Sequence, residues 1–267
     1  MTITGRTRLL AVLGDPIEQV QAPTLVNRLL VRLAVDAVLV PVHVSSLDLA
    51  QVMSGLQRVR NLDGMLVTVP HKIAAREFAT ARSPTVAIAG STNAIRRDPG
   101  GGWFADNFDG AGFVIGLKCA GHQVDGWRVL LAGAGGAGSA IAVALLDAGA
   151  AHLSIQDPDT GKLTALLDRL DAAWPGRAAA ADAPPREAVD LAVNATPLGL
   201  RAADPLPFVP DRLPRSCVIA DIVMKPRDTP LLRAAEALGY AVQPGIAMLE
   251  HQLDLYQSFF RLGQNDS

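Results

Sequence analysis

Three glycines near the middle of the chain have the spacing of a dinucleotide-binding loop. Gly133, Gly135 and Gly138 lie in the run VLLAGAGGAGSAIAVALL, directly after an apolar strand pattern and at the start of a helical one. In that setting the glycines permit a tight turn, close approach of a pyrophosphate, and close packing of helix against strand. This context disfavours the alternative, an ordinary glycine-rich turn. The predicted NAD(P) loop consists of Gly133, Ala134, Gly135, Gly136, Ala137 and Gly138.

The residues after the next predicted strand bear on the choice between NAD and NADP. Asp157 stands at the end of that strand, and its carboxylate could accept hydrogen bonds from the adenosine ribose. The acid would repel a 2′-phosphate, and no arginine is adjacent to bind one. The sequence therefore predicts NAD, with NADP possible. The alternative is that Asp157 or Asp159 only caps the helix that follows.

Several polar residues follow predicted strands elsewhere in the chain. Thr68 and Lys72 lie at and just beyond the end of one strand, and Asn93, Asp109 and Gln252 lie in later segments. Each of them alone is typical of a solvated loop or a helix cap. None of these residues, taken alone, therefore predicts a catalytic or binding role. Only the set as a whole can do so.

Apolar runs alternate with helical patterns almost throughout, which predicts an α/β fold with parallel sheets covered by helices. A second α/β unit begins near residue 107. The pattern also predicts a long final helix over Met248–Leu262 that buries Leu249, Leu253, Tyr256 and Phe260. Thr229 and Pro230 predict a helix start. The Ala/Pro-rich stretch Ala178–Arg186 predicts a solvent-facing loop.

The composition excludes several classes of function. The net charge is −2 at pH 7, with no basic stripe for nucleic acid. The two cysteines match no metal spacing, which predicts free thiols in a reducing compartment and no metal. Neither a signal peptide nor an apolar run of roughly 20 residues is present, so we expect a soluble cytoplasmic protein without membrane contact. A monomer and a homodimer both remain open, and the expected partner is a small-molecule substrate.

The order of motifs resembles that of the shikimate/quinate dehydrogenase family. The runs GDPI, VTVPHK, TN, DNFDG, GAGGAG, NATPLG, DIVMKPRDTPLL and GIAMLEHQ follow one another from about Gly14 to Gln252. The resemblance implies an N-terminal α/β substrate domain over 1–106, a doubly wound Rossmann domain over 107–244, and a C-terminal segment 245–267 that packs back onto the first domain. It places the active site in the cleft between the domains.

The resemblance also implies roles for particular residues. Lys72 and Asp109 match the catalytic pair, in which the lysine exchanges the proton of a secondary alcohol and the aspartate orients it. Nicotinamide would take the hydride. Thr68, Asn93 and Gln252 match positions that contact substrate hydroxyls. The implied cofactor contacts outside the glycine loop are Asn194, Thr196, Gly199, Gly245 and Met248.

The chain departs from the family pattern at the end of the pocket that holds a carboxylate. The family usually has a serine-x-serine pair where this sequence has Val20 and Ala22. Losing donors to a charged group typically costs about 1.5–3 kcal/mol each. Gln19 or Gln21 could replace them, or the true substrate lacks a carboxylate there. Further departures are Leu66, Phe108, Pro158 and Met224.

We therefore expect an NAD(P)-dependent oxidoreductase acting on a ring secondary alcohol such as shikimate, quinate or a relative. One alternative is a non-enzymatic regulator that senses NAD or a metabolite, although a pure sensor does not need the Lys72–Asp109 pair. Another is a methylene-tetrahydrofolate dehydrogenase-like enzyme, which the VTVPHK and DNFDG runs disfavour.

Overall fold

The computed structural model describes residues 2–181, 189–201 and 203–264. The chain forms two compact units. The first consists of the residues up to Phe108 together with those from Gln252 onward, and the second is Asp109–His251. The first unit is therefore discontinuous in sequence, because the whole second unit is inserted between two of its segments.

The first unit contains a mixed sheet. Its strands are β1 (Arg8–Gly14), β2 (Ala37–His43), β3 (Leu62–Val67), β4 (Ala81–Arg82), β5 (Ala94–Arg97) and β6 (Trp103–Asp106). The order across the sheet is β2-β1-β3-β5-β6-β4. Strands β1, β2 and β3 pair in parallel, and β5 pairs antiparallel with both β3 and β6. Residues 94–97 of β5 pair with residues 103–106 of β6.

Helices cover this sheet and close its core. They are α1 (Ala22–Arg32), α2 (Leu49–Leu56), α3 (Lys72–Ala75), α4 (Pro84–Ala89) and, near the C-terminus, α10 (Leu253–Phe259). Met53 of α2 and Val86 of α4 pack with Met65 and Ile95 of the sheet in one buried cluster. Helix α10 lies close to β3, because a side-chain carbon at Gly64 would overlap the ring of Phe260.

The second unit is a parallel sheet. Its strands are β7 (Arg128–Ala132), β8 (His152–Gln156), β9 (Ala178–Ala180), β10 (Leu191–Asn194), β11 (Val218–Asp221) and β12 (Ala241–Gln243). Every pairing is parallel, in the order β12-β11-β10-β7-β8-β9. Counted along the chain from β7, this is the doubly wound order 3-2-1-4-5-6, whose strand order reverses between β7 and β10. The predicted Rossmann fold is confirmed.

The first helix of the second unit precedes its first strand, and the other helices follow strands. They are α5 (Asp109–Cys119), α6 (Gly136–Asp147), α7 (Thr160–Ala173), α8 (Pro230–Ala237) and α9 (Ile246–Glu250). The predicted start at Thr229 and Pro230 is confirmed, since the Thr229 side chain accepts a hydrogen bond from the N–H of Leu232. A hydroxyl acceptor followed by proline starts a helix by local chemistry alone.

Two predictions of secondary structure were wrong. The long C-terminal helix is two short ones, α9 and α10, and Leu253 and Phe260 are only partly buried. The predicted loop begins as the edge strand β9, which pairs with β8 because the exposed edge of β8 offers backbone partners. The rest of that predicted loop, 182–186, lies outside the described residues.

No helix within the described ranges combines the length and apolar character needed to cross a bilayer. In the same part of the chain, no group of three or more His, Cys, Asp or Glu side chains is arranged to hold a metal ion.

Candidate active site

The glycine loop connects β7 to α6 at the point where the strand order of the second unit reverses. Gly133 has a φ of +107° and its N–H donates to the carbonyl of Gln156 at 2.7 Å. A side-chain carbon at Gly138 would overlap the carbonyl oxygen of Gly133, whereas a carbon at Gly135 would have no protein atom within 4 Å. The loop is therefore closely packed at Gly138, where the helix meets the strand, and open beside Gly135. The open space beside Gly135 is where a pyrophosphate would lie.

The start of α6 completes this cradle. Gly135 is its N-cap residue, and glycine has no side chain that could cap the helix itself. The N-terminal backbone amides and the positive end of the helix dipole favour an anion at this position. The loop and the helix start therefore fit a dinucleotide phosphate.

Asp157 supports the glycine loop. Its Oδ2 accepts a hydrogen bond from the N–H of Ala134 at 2.7 Å, and its Oδ1 accepts one from the N–H of Asp159 at 2.8 Å. The cap of α7 is Asp159 instead, which accepts from the N–H of Lys162 at 3.0 Å. The Lys162 ammonium, 2.9 Å from Asp159, lowers the pKa of that carboxyl. The capping alternative therefore holds for Asp159, while Asp157 connects β8 to the glycine loop.

Replacing Gly135 or Gly138 with alanine is expected to separate cofactor binding from folding. Gly135→Ala should leave the thermal midpoint unchanged but weaken NAD binding by at least about tenfold, because the added methyl occupies space meant for phosphate. Gly138→Ala should destabilise the protein by about 1–3 kcal/mol, since the clash is with backbone. Calorimetric unfolding and NAD titration test both variants. Tight NAD binding by Gly135→Ala would contradict the assignment.

The predicted cofactor loop after β10 adjoins the glycine loop. A side-chain carbon at Gly133 would lie 2.8 Å from the carbonyl carbon and oxygen of Ala195. Asn194 shapes this loop, because its Oδ1 accepts from the N–H of Thr196 at 3.0 Å and from its hydroxyl at 2.6 Å. The amide nitrogen of Asn194 donates to the carbonyl of Leu198 at 2.9 Å. The loop is therefore folded around one asparagine side chain.

Asp221, a residue not predicted from the sequence to belong to the site, orients Asn194. This carboxylate is 1% exposed and accepts hydrogen bonds from Asn194 Nδ2 at 3.0 Å, the N–H of Val223 at 3.0 Å and the Thr229 hydroxyl at 2.7 Å. Burial raises the pKa of Asp221, and these donors oppose that effect. An acidic residue that ends an otherwise apolar strand is the signal that could have identified it.

Two further predicted cofactor residues, Gly245 and Met248, lie just before α9 and within it. Gly245 packs against the backbone after β11, because a side-chain carbon there would lie 2.5 Å from the carbonyl carbon of Ile222. Met248 is buried, and its N–H donates to the carbonyl of Gly245 at 3.1 Å. The second unit thus brings the glycine loop and the loop after β10 together, and holds α9 against the end of β11.

Lys72 and Asp109 each stand at the start of a helix. Lys72 begins α3 in the first unit and is 9% exposed, and its carbonyl accepts from the N–H of Thr92 at 2.8 Å. Asp109 begins α5 in the second unit and is 3% exposed. A carboxylate in the first turn is favoured by the helix dipole. Both groups are therefore buried ionisable side chains, the class in which proton-transfer groups are found.

Asn93 and Gln252 come together in the first unit, although they are far apart in sequence. Asn93 Nδ2 donates to Gln252 Oε1 at 2.9 Å and to the Tyr256 hydroxyl at 3.2 Å, and Asn93 Oδ1 accepts from the N–H of Phe108 at 2.9 Å. Tyr256 was predicted only as a core residue. Its polar role could not be read from helical spacing, because that spacing describes burial alone. Thr68, whose N–H donates to the carbonyl of Leu13 at 2.9 Å, lies at the end of β3.

Val20 and Ala22, which replace the serine pair of the family pattern, lie just before α1 and at its first residue. Ala22 is buried as the first residue of α1, and Val20 is partly buried just before it. Gln19 Nε2 donates to the carbonyl of Pro16 at 2.9 Å, and Gln21 Nε2 donates to the carbonyl of Gln19 at 2.9 Å. Both glutamine amides are thus directed to nearby backbone.

Comparison with known proteins identifies related chains. Residues 12–95 match the family described as the shikimate dehydrogenase substrate binding domain. An NADP-dependent shikimate dehydrogenase of Rubrobacter xylanophilus is 35% identical, over 94% of this chain and 89% of the relative.

Two solved structures are also similar to the whole chain. The quinate dehydrogenase of Corynebacterium glutamicum, solved with NAD, is 28% identical with a TM-score of 0.83, over 97% of this chain and 94% of that one. A 5-ketofructose reductase of a Gluconobacter species is 27% identical with a TM-score of 0.83, over 96% and 94%. Because a relative 35% identical matches nearly the full length of both chains, the protein belongs to the shikimate and quinate dehydrogenase family of NAD(P)-dependent oxidoreductases.

Proposed function

We propose that this protein is an NAD-preferring dehydrogenase of a polyhydroxylated ring compound, reversibly interconverting a secondary alcohol and a ketone. The observation that carries the proposal is the buried Asn93–Gln252 amide pair near the end of β3, in the domain that matches the family's substrate domain. Buried amides bind hydroxyl-rich ligands through directional hydrogen bonds. The cradle in the second unit supplies the cofactor site.

In this proposal Lys72 and Asp109 form the proton-transfer pair. When bound, a nicotinamide accepts or returns the hydride, which no side chain of the protein can do. Lys72 exchanges the proton of the reacting hydroxyl and stabilises the negative charge that develops on its oxygen. Asp109 orients the lysine ammonium and holds a neighbouring hydroxyl. Thr68, Asn93 and Gln252 position the ring.

The proposed substrate is less polar than shikimate at the end that meets Val20 and Ala22. Neither side chain can donate a hydrogen bond, and the amides of Gln19 and Gln21 already donate to backbone carbonyls. An uncompensated carboxylate there would be costly to desolvate. The similarity to a 5-ketofructose reductase supports this proposal, because 5-ketofructose has no carboxylate.

The experiment that tests the function follows NADH formation with shikimate, quinate and methyl shikimate, in which the carboxylate is replaced by a neutral ester. We expect methyl shikimate to be the better substrate of the matched pair. A strong preference for shikimate over methyl shikimate would contradict the proposal that the substrate is less polar at the end that meets Val20 and Ala22. NAD binding without turnover of any of these compounds would contradict the dehydrogenase proposal and favour a regulator.

The NAD preference leads to a prediction at Asp157. Asp157→Asn should lower the ratio of kcat/KM for NAD to that for NADP by roughly 10- to 30-fold, because it removes the charge that repels a 2′-phosphate. The asparagine oxygen can still accept from the N–H of Ala134, so the loop keeps its support. Asp159→Asn is the matched control, which alters the neighbouring acid that caps α7. An equal change of the ratio in both variants would show that Asp157 does not select the cofactor.

A cytoplasmic location is part of the same proposal. Both cysteines are free, and burial raises the pKa of the Cys217 thiol to about 12. Free cysteines without disulfide partners are typical of proteins in a reducing compartment.

A further inference from the structure

A tyrosine hydroxyl belongs to the amide cluster of the first unit. Tyr256 is 4% exposed, and its hydroxyl donates to Gln252 Oε1 while Asn93 Nδ2 donates to the same hydroxyl at 3.2 Å. Gln252 Oε1 also accepts from Asn93 Nδ2 at 2.9 Å. Two donors therefore bind the Oε1 atom of Gln252. This oxygen is consequently directed toward the interior of the first unit.

Aromatic packing fixes the ring that carries this hydroxyl. Phe108 meets the ring of Tyr256 edge-on, with centroids 5.8 Å apart, and meets Phe259 at 5.1 Å. Phe108 is one of the departures from the family pattern, and its backbone N–H donates to Asn93 Oδ1. Edge-to-face contacts of this kind favour one ring orientation. The ring of Phe108 thus helps to hold Tyr256 in place, and the backbone N–H of the same residue helps to hold Asn93.

We propose that Tyr256 is a positioning residue that sets the direction of the Gln252 carboxamide and so makes Gln252 a hydrogen-bond donor, through Nε2, to an oxygen of the substrate. The inference rests on the proposed function, in which Gln252 contacts substrate. It names the group that is recognised: an acceptor oxygen, such as a ring hydroxyl or a carbonyl.

The chemistry of the carboxamide explains why one hydroxyl suffices. The two ends of the amide have similar shape but opposite hydrogen-bonding character. In the flipped orientation Gln252 Nε2 would face Asn93 Nδ2, so that two donors would oppose each other. The Tyr256 hydroxyl would then have to accept a hydrogen bond from Gln252, whereas it now donates one. Without the phenol oxygen and its proton, one of the two donors to Gln252 Oε1 is lost, and the flip is opposed less strongly. Substrate binding would then require reorientation of the amide, whereas chemistry at Lys72 would not change.

The test measures NAD-dependent oxidation of methyl shikimate by the full-length protein. Tyr256→Phe, which removes one oxygen, should raise KM for methyl shikimate by about 3- to 10-fold and leave kcat within about twofold. In a Gln252→Met background, the same change should have no further effect on KM, because Tyr256 acts through Gln252. If methyl shikimate is not turned over, calorimetry gives its Kd in the presence of NAD and the same ratios are compared.

Tyr240→Phe is the matched control. Tyr240 is also buried, at 5% exposure, and its hydroxyl contacts the carbonyls of Pro210 and Leu213 at 2.7 and 2.8 Å in the second unit. Its loss should lower the thermal midpoint without changing KM for methyl shikimate. A merely structural role of Tyr256 would give that same result.

Two outcomes would overturn the inference while leaving the proposed function intact. One is an unchanged KM in Tyr256→Phe although Gln252→Met raises it, and the other is an equal rise of KM in both backgrounds. If Gln252→Met has no effect on KM, the proposed contact of Gln252 with substrate is wrong. A wild-type protein that neither binds nor oxidises methyl shikimate, shikimate or quinate removes the proposed function and this inference together.

Discussion

Lys72→Met should lower kcat by about 10²- to 10⁴-fold, the range that positioned acid–base groups contribute, while NAD affinity stays at the wild-type value. The lysine lies in the first unit at the start of α3, and the glycine loop lies in the second. Methionine keeps most of the side-chain volume, so the core around this buried position should be preserved. Steady-state turnover of the preferred ring substrate and calorimetric titration of NAD measure the two effects.

A second lysine provides the control for this variant. Lys118 lies in the last turn of α5 and is exposed, and Lys118→Met should leave kcat unchanged. Lys72→Ala supplemented with a small primary amine should recover part of its turnover if the missing group is a proton carrier. Turnover by Lys72→Met within about threefold of wild type would remove the lysine from the mechanism.

Asp221→Ala should destabilise the second unit by about 2–4 kcal/mol and weaken NAD binding. The change leaves the buried N–H of Val223 and the buried amide of Asn194 without this acceptor, and each unsatisfied group costs about 1–3 kcal/mol. It also releases Asn194, around which the loop after β10 is folded. Differential scanning calorimetry and NAD titration measure the effects. Asp190→Ala, which removes a more exposed carboxylate that accepts from the N–H of Arg128 at 2.8 Å, should cost less than about 1 kcal/mol.

The isosteric change Asp221→Asn separates the charge from the hydrogen bonds. The asparagine oxygen can accept from Val223 and Asn194, and its nitrogen can donate to the Thr229 hydroxyl oxygen. Burial raises the pKa of Asp221 above 3.8, so the folded state binds a proton that the unfolded state has released. Stability from this group is therefore fully present below 3.8 and is lost as the pH rises through the folded pKa. The wild-type protein should show this loss relative to Asp221→Asn, and parallel stability curves for the two would contradict the assignment.

Features set by neighbouring residues could be predicted from the sequence. The start of α8 depends on the Thr229 hydroxyl and the following proline, both within one turn of the helix. The glycine loop was predictable for a similar reason, because its strand, turn and helix are contiguous and only the glycine spacing has to be recognised. The resemblance to a family then implied roles for the remaining polar segments.

Features that depend on distant partners could not be predicted in this way. The apolar spacing of Leu249, Leu253, Tyr256 and Phe260 continues without interruption through the break between α9 and α10. At that break Gln252 joins Asn93, a residue in the other segment of its unit. Asp221 acquires its role from Asn194 on the adjacent strand, and Asp157 supports a loop more than twenty residues earlier. Periodicity reports burial, and it carries no information on which polar groups meet.

The insertion of the second unit into the first has a consequence for synthesis on the ribosome. Residues 109–251 form one continuous unit, and a continuous unit can acquire its native contacts as soon as it has left the exit tunnel. The first unit, although its segment up to Phe108 is made earlier, has to wait for α10, whose following residue Phe260 packs against Gly64. The Asn93–Gln252 pair is delayed in the same way. The second unit can therefore complete its contacts before the first, although most of the first is translated earlier, and Phe260 can cover the β3 surface around Gly64 only after it has been made.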